Sequence, residues 1–132
     1  MGQMTPNILA VVDTTVLIHL LRGDAVAAQW LATQPRLAMT SISWLEVMQG
    51  APGKRGETRS LNLFSQFDLI YLDEADQLWA MQQMLAYRLS HGVSIMDCLI
   101  ASVCHRLQVP LYTHNLKDMV RLLGPDLVVN PY

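Results

Sequence analysis

Five short apolar runs separated by stretches of helical period set the fold before any single residue is weighed. Leu9 to Asp13, Leu37 to Thr40, Leu69 to Leu72, Val109 to Thr113 and Leu127 to Val129 have the length and content of buried parallel strands. Between them, apolar residues recur at helical spacing. Thr14 or Thr15 can cap a helix over Val16 to Leu21, and Ala25 to Ala32 reads as a second. Ser41 or Ser43 can cap a third that carries Glu46, and Glu57 to Gln66, Glu74 to Leu89 and Ile95 to Leu107 continue the pattern. Leu116 to Leu123 completes it, stopped by Gly124-Pro125. Gly50 to Gly56 breaks the pattern and reads as a small, basic, flexible loop. Strand–helix alternation requires crossovers of one hand and a mostly parallel twisted sheet covered on both faces, so the fold class is α/β. With 132 residues, 52% of them hydrophobic, the chain can bury a real core and is expected to form one domain over 1–132.

Composition then narrows the function. A formal charge of -2 gives no global basic field, so any nucleic-acid contact must come from a local basic patch backed by metal ions. Cys98 and Cys104 show neither disulfide-framework nor zinc-ligand spacing and read as buried reduced thiols, which suits the cytoplasm. The start, Met-Gly-Gln-Met-Thr-Pro, lacks the basic flank and apolar stretch of a signal peptide. Apolar runs are broken by Asp13, His19, Arg22 or Asp97 well short of the roughly eighteen residues that span a bilayer. A soluble protein is expected, with no membrane partner.

Four carboxylates stand out against this apolar background. Asp13 ends the first strand, Asp118 lies a turn beyond the Val109 strand, and Glu46 and Asp97 are expected to begin helices that start from the same sheet edge. In open parallel sheets the carboxyl ends of the strands are where ligands bind. Each acid alone has an ordinary explanation: Asp13 as a helix cap, Asp97 on a helix dipole, Glu46 and Asp118 as solvated surface acids. Together they outline a site for a hard divalent cation such as Mg²⁺ or Mn²⁺, which takes oxygen ligands. A carboxylate in an apolar setting costs several kcal/mol unless a positive charge holds it ionised.

The same residues carry a family resemblance. Val11-Val-Asp-Thr-Thr-Val-Leu-Ile18, Thr40-Ser-Ile-Ser-Trp-Leu-Glu-Val-Met-Gln-Gly50, Asp97-Cys-Leu-Ile-Ala-Ser102 and Leu111-Tyr-Thr-His-Asn-Leu-Lys-Asp118 resemble, in order and spacing, the motifs of PIN-domain ribonucleases of the VapC toxin type. The ending Leu127-Val-Val-Asn-Pro-Tyr132 also looks like that family's. Met119 and Ser102 depart mildly from its usual Phe and Ala. The resemblance implies a three-layer α/β/α nuclease that uses Mg²⁺ or Mn²⁺ to cut single-stranded regions of RNA, leaving a 5′-phosphate and a 3′-hydroxyl. Asp13, Glu46, Asp97 and Asp118 match its acidic, metal-binding positions, and the fourth is the one that varies most within the family. Thr15, Thr113 and Asn115 match its hydroxyl and amide positions, which would orient the carboxylates. The resemblance further implies a homodimer and a cognate antitoxin whose Arg or Lys enters the acidic groove.

Lys54, Arg55, Arg59, Lys117 and Arg121 flank these motifs and are candidates for phosphate contacts. His19, His91, His105 and His114 form no nucleophile pair by spacing; His114 is the one beside a motif. Trp44, Trp79, Met48, Met81 and Met84 fall at helical spacings and suit a core or a subunit interface better than base stacking. Rival readings are a stand-alone PIN nuclease for RNA processing, a catalytically silent PIN scaffold and a phospho-acceptor signalling domain. The last lacks its adjacent acidic pair, because Thr14-Thr15 follow Asp13.

Overall fold

The computed structural model describes residues 8–132. Its sheet contains β1 (Val11–Val12), β2 (Ala38–Thr40), β3 (Asp68–Ile70), β4 (Leu111–Tyr112) and β5 (Val128–Val129), in the order β3-β2-β1-β4-β5. Every pairing is parallel, with Val11 in register with Ala38 on one side and Leu111 on the other. Around it pack α1 (Thr14–Leu21), α2 (Ala25–Ala32), α3 (Ser41–Gln49), α4 (Gly53–Phe64), α5 (Glu74–His91), α6 (Ile95–Leu107) and α7 (Leu116–Leu123).

Successive strand residues face opposite sides of a sheet, and the two cores follow that rule. Val11, Ala38 and Leu111 point into one cluster, where Ala80 of α5, Ile100 and Ala101 of α6 and Met119 of α7 cover them. Val12 and Met39 point into the other, against Val16 and Leu17 of α1, Val47 of α3 and Phe64 of α4. Trp44 and Met48 pack against this second core, Trp79 and Met84 against the first, and Met81 is exposed. The result is a three-layer α/β/α fold. None of its described helices is long and apolar enough to cross a membrane.

The strands are one to three residues shorter than the apolar runs that signal them, and two caps differ. Asp13 itself caps α1 in place of Thr14 or Thr15, and Thr40 caps α3 in place of Ser41 or Ser43. Both caps are the last residue before the helix, so strand passes into helix without a loop. The larger correction concerns Gly50 to Gly56. Only Gly50, Ala51 and Pro52 lie outside helices, because α4 begins at Gly53. Gly56 is buried against the Pro52 ring, and a Cβ there would come within 2.5 Å of Pro52 Cδ. Its missing side chain lets the proline close over the first turn. Lys54 and Arg55 therefore belong to a helix start rather than a flexible loop.

Candidate active site

Two of the acids stand just beyond strands: Asp13 after β1, and Asp118 in the first turn of α7, which follows β4. Asp13 follows β1 directly and is 2% exposed. Its Oδ1 accepts from the Thr14 N–H at 2.8 Å, and its Oδ2 accepts from the Thr113 hydroxyl at 2.6 Å. Thr15 adds a longer contact of 3.5 Å to Oδ2. Thr113, which follows β4, accepts in turn from the Asn115 N–H at 2.9 Å. The Asn115 side-chain amide then donates to Asp97 Oδ2 at 3.0 Å. A continuous set of neutral donors thus joins Asp13 to Asp97 across 84 residues of sequence.

Asp97 occupies the first turn of α6, which Ser94 caps, and is half-buried. Asp118 is half-buried in the first turn of α7. Glu46 is half-buried as well, but it lies in the second turn of α3 rather than at its start. The Thr14 hydroxyl reaches Glu46 Oε1 at 2.7 Å. Thr14 is the site residue that sequence reasoning passed over. Its signal was its place directly after Asp13, where the first helical turn aims a side chain at α3.

Electrostatics ties the four acids together. Burial pushes the Asp13 carboxyl up from its ordinary value, opposed chiefly by the Thr113 and Thr14 hydrogen bonds and reinforced by the Glu46 charge. Burial also raises Asp97, with repulsion from Asp13 next and a further contribution from Asp118. Asp13 therefore feels Glu46, and Asp97 feels both other aspartates. Among the described residues no three His, Cys, Asp or Glu side chains are gathered closely enough to hold an ion as they stand. The donor chemistry nonetheless fits a hard divalent cation: the four side chains offer carboxylate oxygens alone, and no described cation pairs with them.

The basic residues divide. Arg59 donates to the Leu21 carbonyl at 2.7 Å, Lys54 pairs with Glu57 at 3.0 Å, and Arg121 lies 5.8 Å from the Tyr87 ring centroid. Arg55 and Lys117 are exposed and form no ion pair among the described residues. Glu46 and Arg59 share a cleft of about 400 Å³ between α1, α3 and α4. A larger apolar cavity of about 560 Å³, lined by Tyr71, Met81, Met84 and Ile95, contains none of the four acids. His114 lies tilted against His19, ring centroids 4.6 Å apart, with Tyr132 against both. Its Nε2 is buried without a partner, and burial followed by the neighbouring His19 lowers its pKa.

The sequence profile of one family, described as PIN domain, matches residues 10–121. The chain belongs to the PIN domain family. Comparison with curated protein sequences gives no match. Among solved structures, this PIN domain is similar to a chain of a toxin–antitoxin complex from Klebsiella pneumoniae, with 30% identity and a TM-score of 0.76 over 93% of this chain and 98% of that one. It shares its fold with a chain of VapBC2 from Rickettsia felis bound to a promoter DNA fragment, at 18% identity and TM-score 0.75 over 95% and 99% of the two chains. The FitAcB structure from Neisseria gonorrhoeae gives 20% identity and TM-score 0.75 over 93% and 98%.

Proposed function

We propose that this PIN domain is a divalent-cation-dependent endoribonuclease and the toxin of a VapBC-type pair. The observation that carries the reading is Asp13: a buried carboxylate held by neutral donors, within the field of Glu46 and Asp97 and with no ion pair among the described residues. Asp13, Glu46, Asp97 and Asp118 would hold Mg²⁺ or Mn²⁺. A divalent ion there supplies Lewis-acid polarisation of the scissile phosphate and neutralises charge that develops on it.

The chain's own residues do the rest. Thr113 and Asn115 fix the Asp13 and Asp97 carboxylates in orientation, and the Thr14 N–H holds the other oxygen of Asp13. Thr15 supports Thr113's loop by accepting from the His114 N–H at 3.3 Å. Arg55 and Lys117, exposed and in no ion pair among the described residues, are available to meet phosphates, and Lys54, Arg59 and Arg121 would contribute once released from their present partners. The hydroxyls that touch the carboxylates, Thr14 on Glu46 and Thr113 on Asp13, are buried, which favours direct hydrolysis over a covalent intermediate.

The similarity to a toxin–antitoxin complex chain at 30% identity supports a cognate antitoxin. An antitoxin arginine or lysine would meet the same acids that draw a cation. The α5 surface supports a homodimer: Leu78, Met81, Leu85 and Leu89 are all more than half exposed, and such apolar patches mark interaction sites. Both cysteines are buried free thiols, which suits the cytoplasm.

The test is cleavage of a labelled, partly structured RNA with Mg²⁺, Mn²⁺ or EDTA. Cleavage that needs the metal and disappears in Asp13→Asn and Asp97→Asn is the expected result. Purified antitoxin-free protein that cuts nothing with either ion would favour a silent scaffold instead.

A further inference from the structure

Thr14 stands between two of the acids. Its N–H donates to Asp13 Oδ1 at 2.8 Å, while its hydroxyl lies 2.7 Å from Glu46 Oε1 and 2.9 Å from Ser43 Oγ. A hydroxyl has one proton, and an ionised carboxylate only accepts. The Thr14 proton therefore goes to Glu46, and Ser43 donates its own proton to Thr14 Oγ1. The relay runs one way, from Ser43 through Thr14 to Glu46, with each bond polarising the next.

Its upstream members are fixed by the fold. Ser43 is fully buried, and its N–H donates to Thr40 Oγ1 at 3.2 Å in the cap of α3. Thr14 is 8% exposed in the first turn of α1. Glu46, by contrast, is half-exposed and lines the cleft between α1, α3 and α4. A carboxylate released by Thr14 has room to swing into that cleft, away from Asp13. Repulsion from Asp13 would drive it there.

We infer that Thr14 is a positioning residue that sets Glu46 against Asp13 for cation binding. This rests on the proposed reading of the acids. A single residue then couples the two: its backbone holds Asp13, and its side chain holds Glu46.

The test is a Mn²⁺ titration of the full chain, with free Mn²⁺ read by electron paramagnetic resonance. Thr14→Val keeps the shape and removes the hydroxyl, and it should weaken Mn²⁺ binding about 10- to 100-fold. Thr14→Ser restores the hydroxyl and should stay within about threefold of the wild type. If Thr14 works through Glu46, adding Thr14→Val to Glu46→Gln weakens binding no further, whereas a general packing role makes the two losses add. Wild-type affinity in Thr14→Val beside weakened affinity in Glu46→Gln overturns the inference and leaves the site assignment standing. No Mn²⁺ binding by the wild type, or unchanged binding in Glu46→Gln, overturns the assignment of Glu46 and the inference with it. Should Thr14→Val fail to fold, Thr14→Ala removes the same hydroxyl without placing a second methyl in its position: weaker binding supports the inference, and unchanged binding overturns it.

Discussion

Two aspartates are buried to the same degree in this molecule and are treated in opposite ways. Asp76, 1% exposed at the start of α5, accepts from Arg106 Nε at 2.8 Å and from the Asp73 N–H at 3.0 Å, while Arg106 also reaches Asp73 at 3.3 Å. Asp13, 2% exposed after β1, has hydrogen bonds but no ion pair among the described residues, and its charged neighbours are acids. A balanced buried charge is a staple: it pins α6 to the capping box of α5. An unbalanced one stores an unfavourable field that a cation would relieve. Burial alone does not separate structure from function here; the sign of the neighbours does.

Substitutions should split along that line. The largest effect belongs to the acidic site: Asp13→Asn and Asp97→Asn should each lower RNA cleavage at least about a thousandfold, equivalent to ~4 kcal/mol of barrier, in single-turnover assays. Next is the staple, where Arg106→Met strands Asp76 and should cost about 3 kcal/mol in urea unfolding at unchanged m-value. Cleavage per folded molecule should stay the same. In metal-free buffer Asp13→Asn should change stability by no more than about 1 kcal/mol, because asparagine caps a helix as well as aspartate does and repulsion from Glu46 falls. A loss of 3 kcal/mol there would make Asp13 a second staple and erase the contrast. The smallest effect is at the rim: Lys117→Ala should weaken RNA binding a few-fold at every sequence and lower the salt-dependence slope by about 1.

Much of this was legible along the chain, for reasons that are local. The bounds of α2, α6 and α7 fall where helical period, caps and the Gly124-Pro125 stop place them. The sheet edge that collects the acids follows from parallel topology. What sequence conceals is contact between distant residues. Arg106 and Asp76 are 30 residues apart, and neither position announces the other. Thr14 and Glu46, 32 apart, meet only because α1 packs across α3. The start of α4 was hidden for another reason: three glycines and a proline between 50 and 56 resemble a loop, and only packing shows Gly56 against the Pro52 ring. Glu46 reaches the site from the second turn of α3 and not from its start, because Thr40 caps that helix ahead of Ser41.

Whether the Asp13 site draws a cation is read by thermal unfolding of the wild type and Asp13→Asn, each with EDTA and with Mn²⁺ in excess. A ligand that binds only the native state at 100 times its Kd adds about 2.7 kcal/mol. Mn²⁺ should raise the wild-type midpoint by that equivalent and leave Asp13→Asn where EDTA leaves it. Equal shifts in both proteins, or none in either, would contradict a cation site at Asp13.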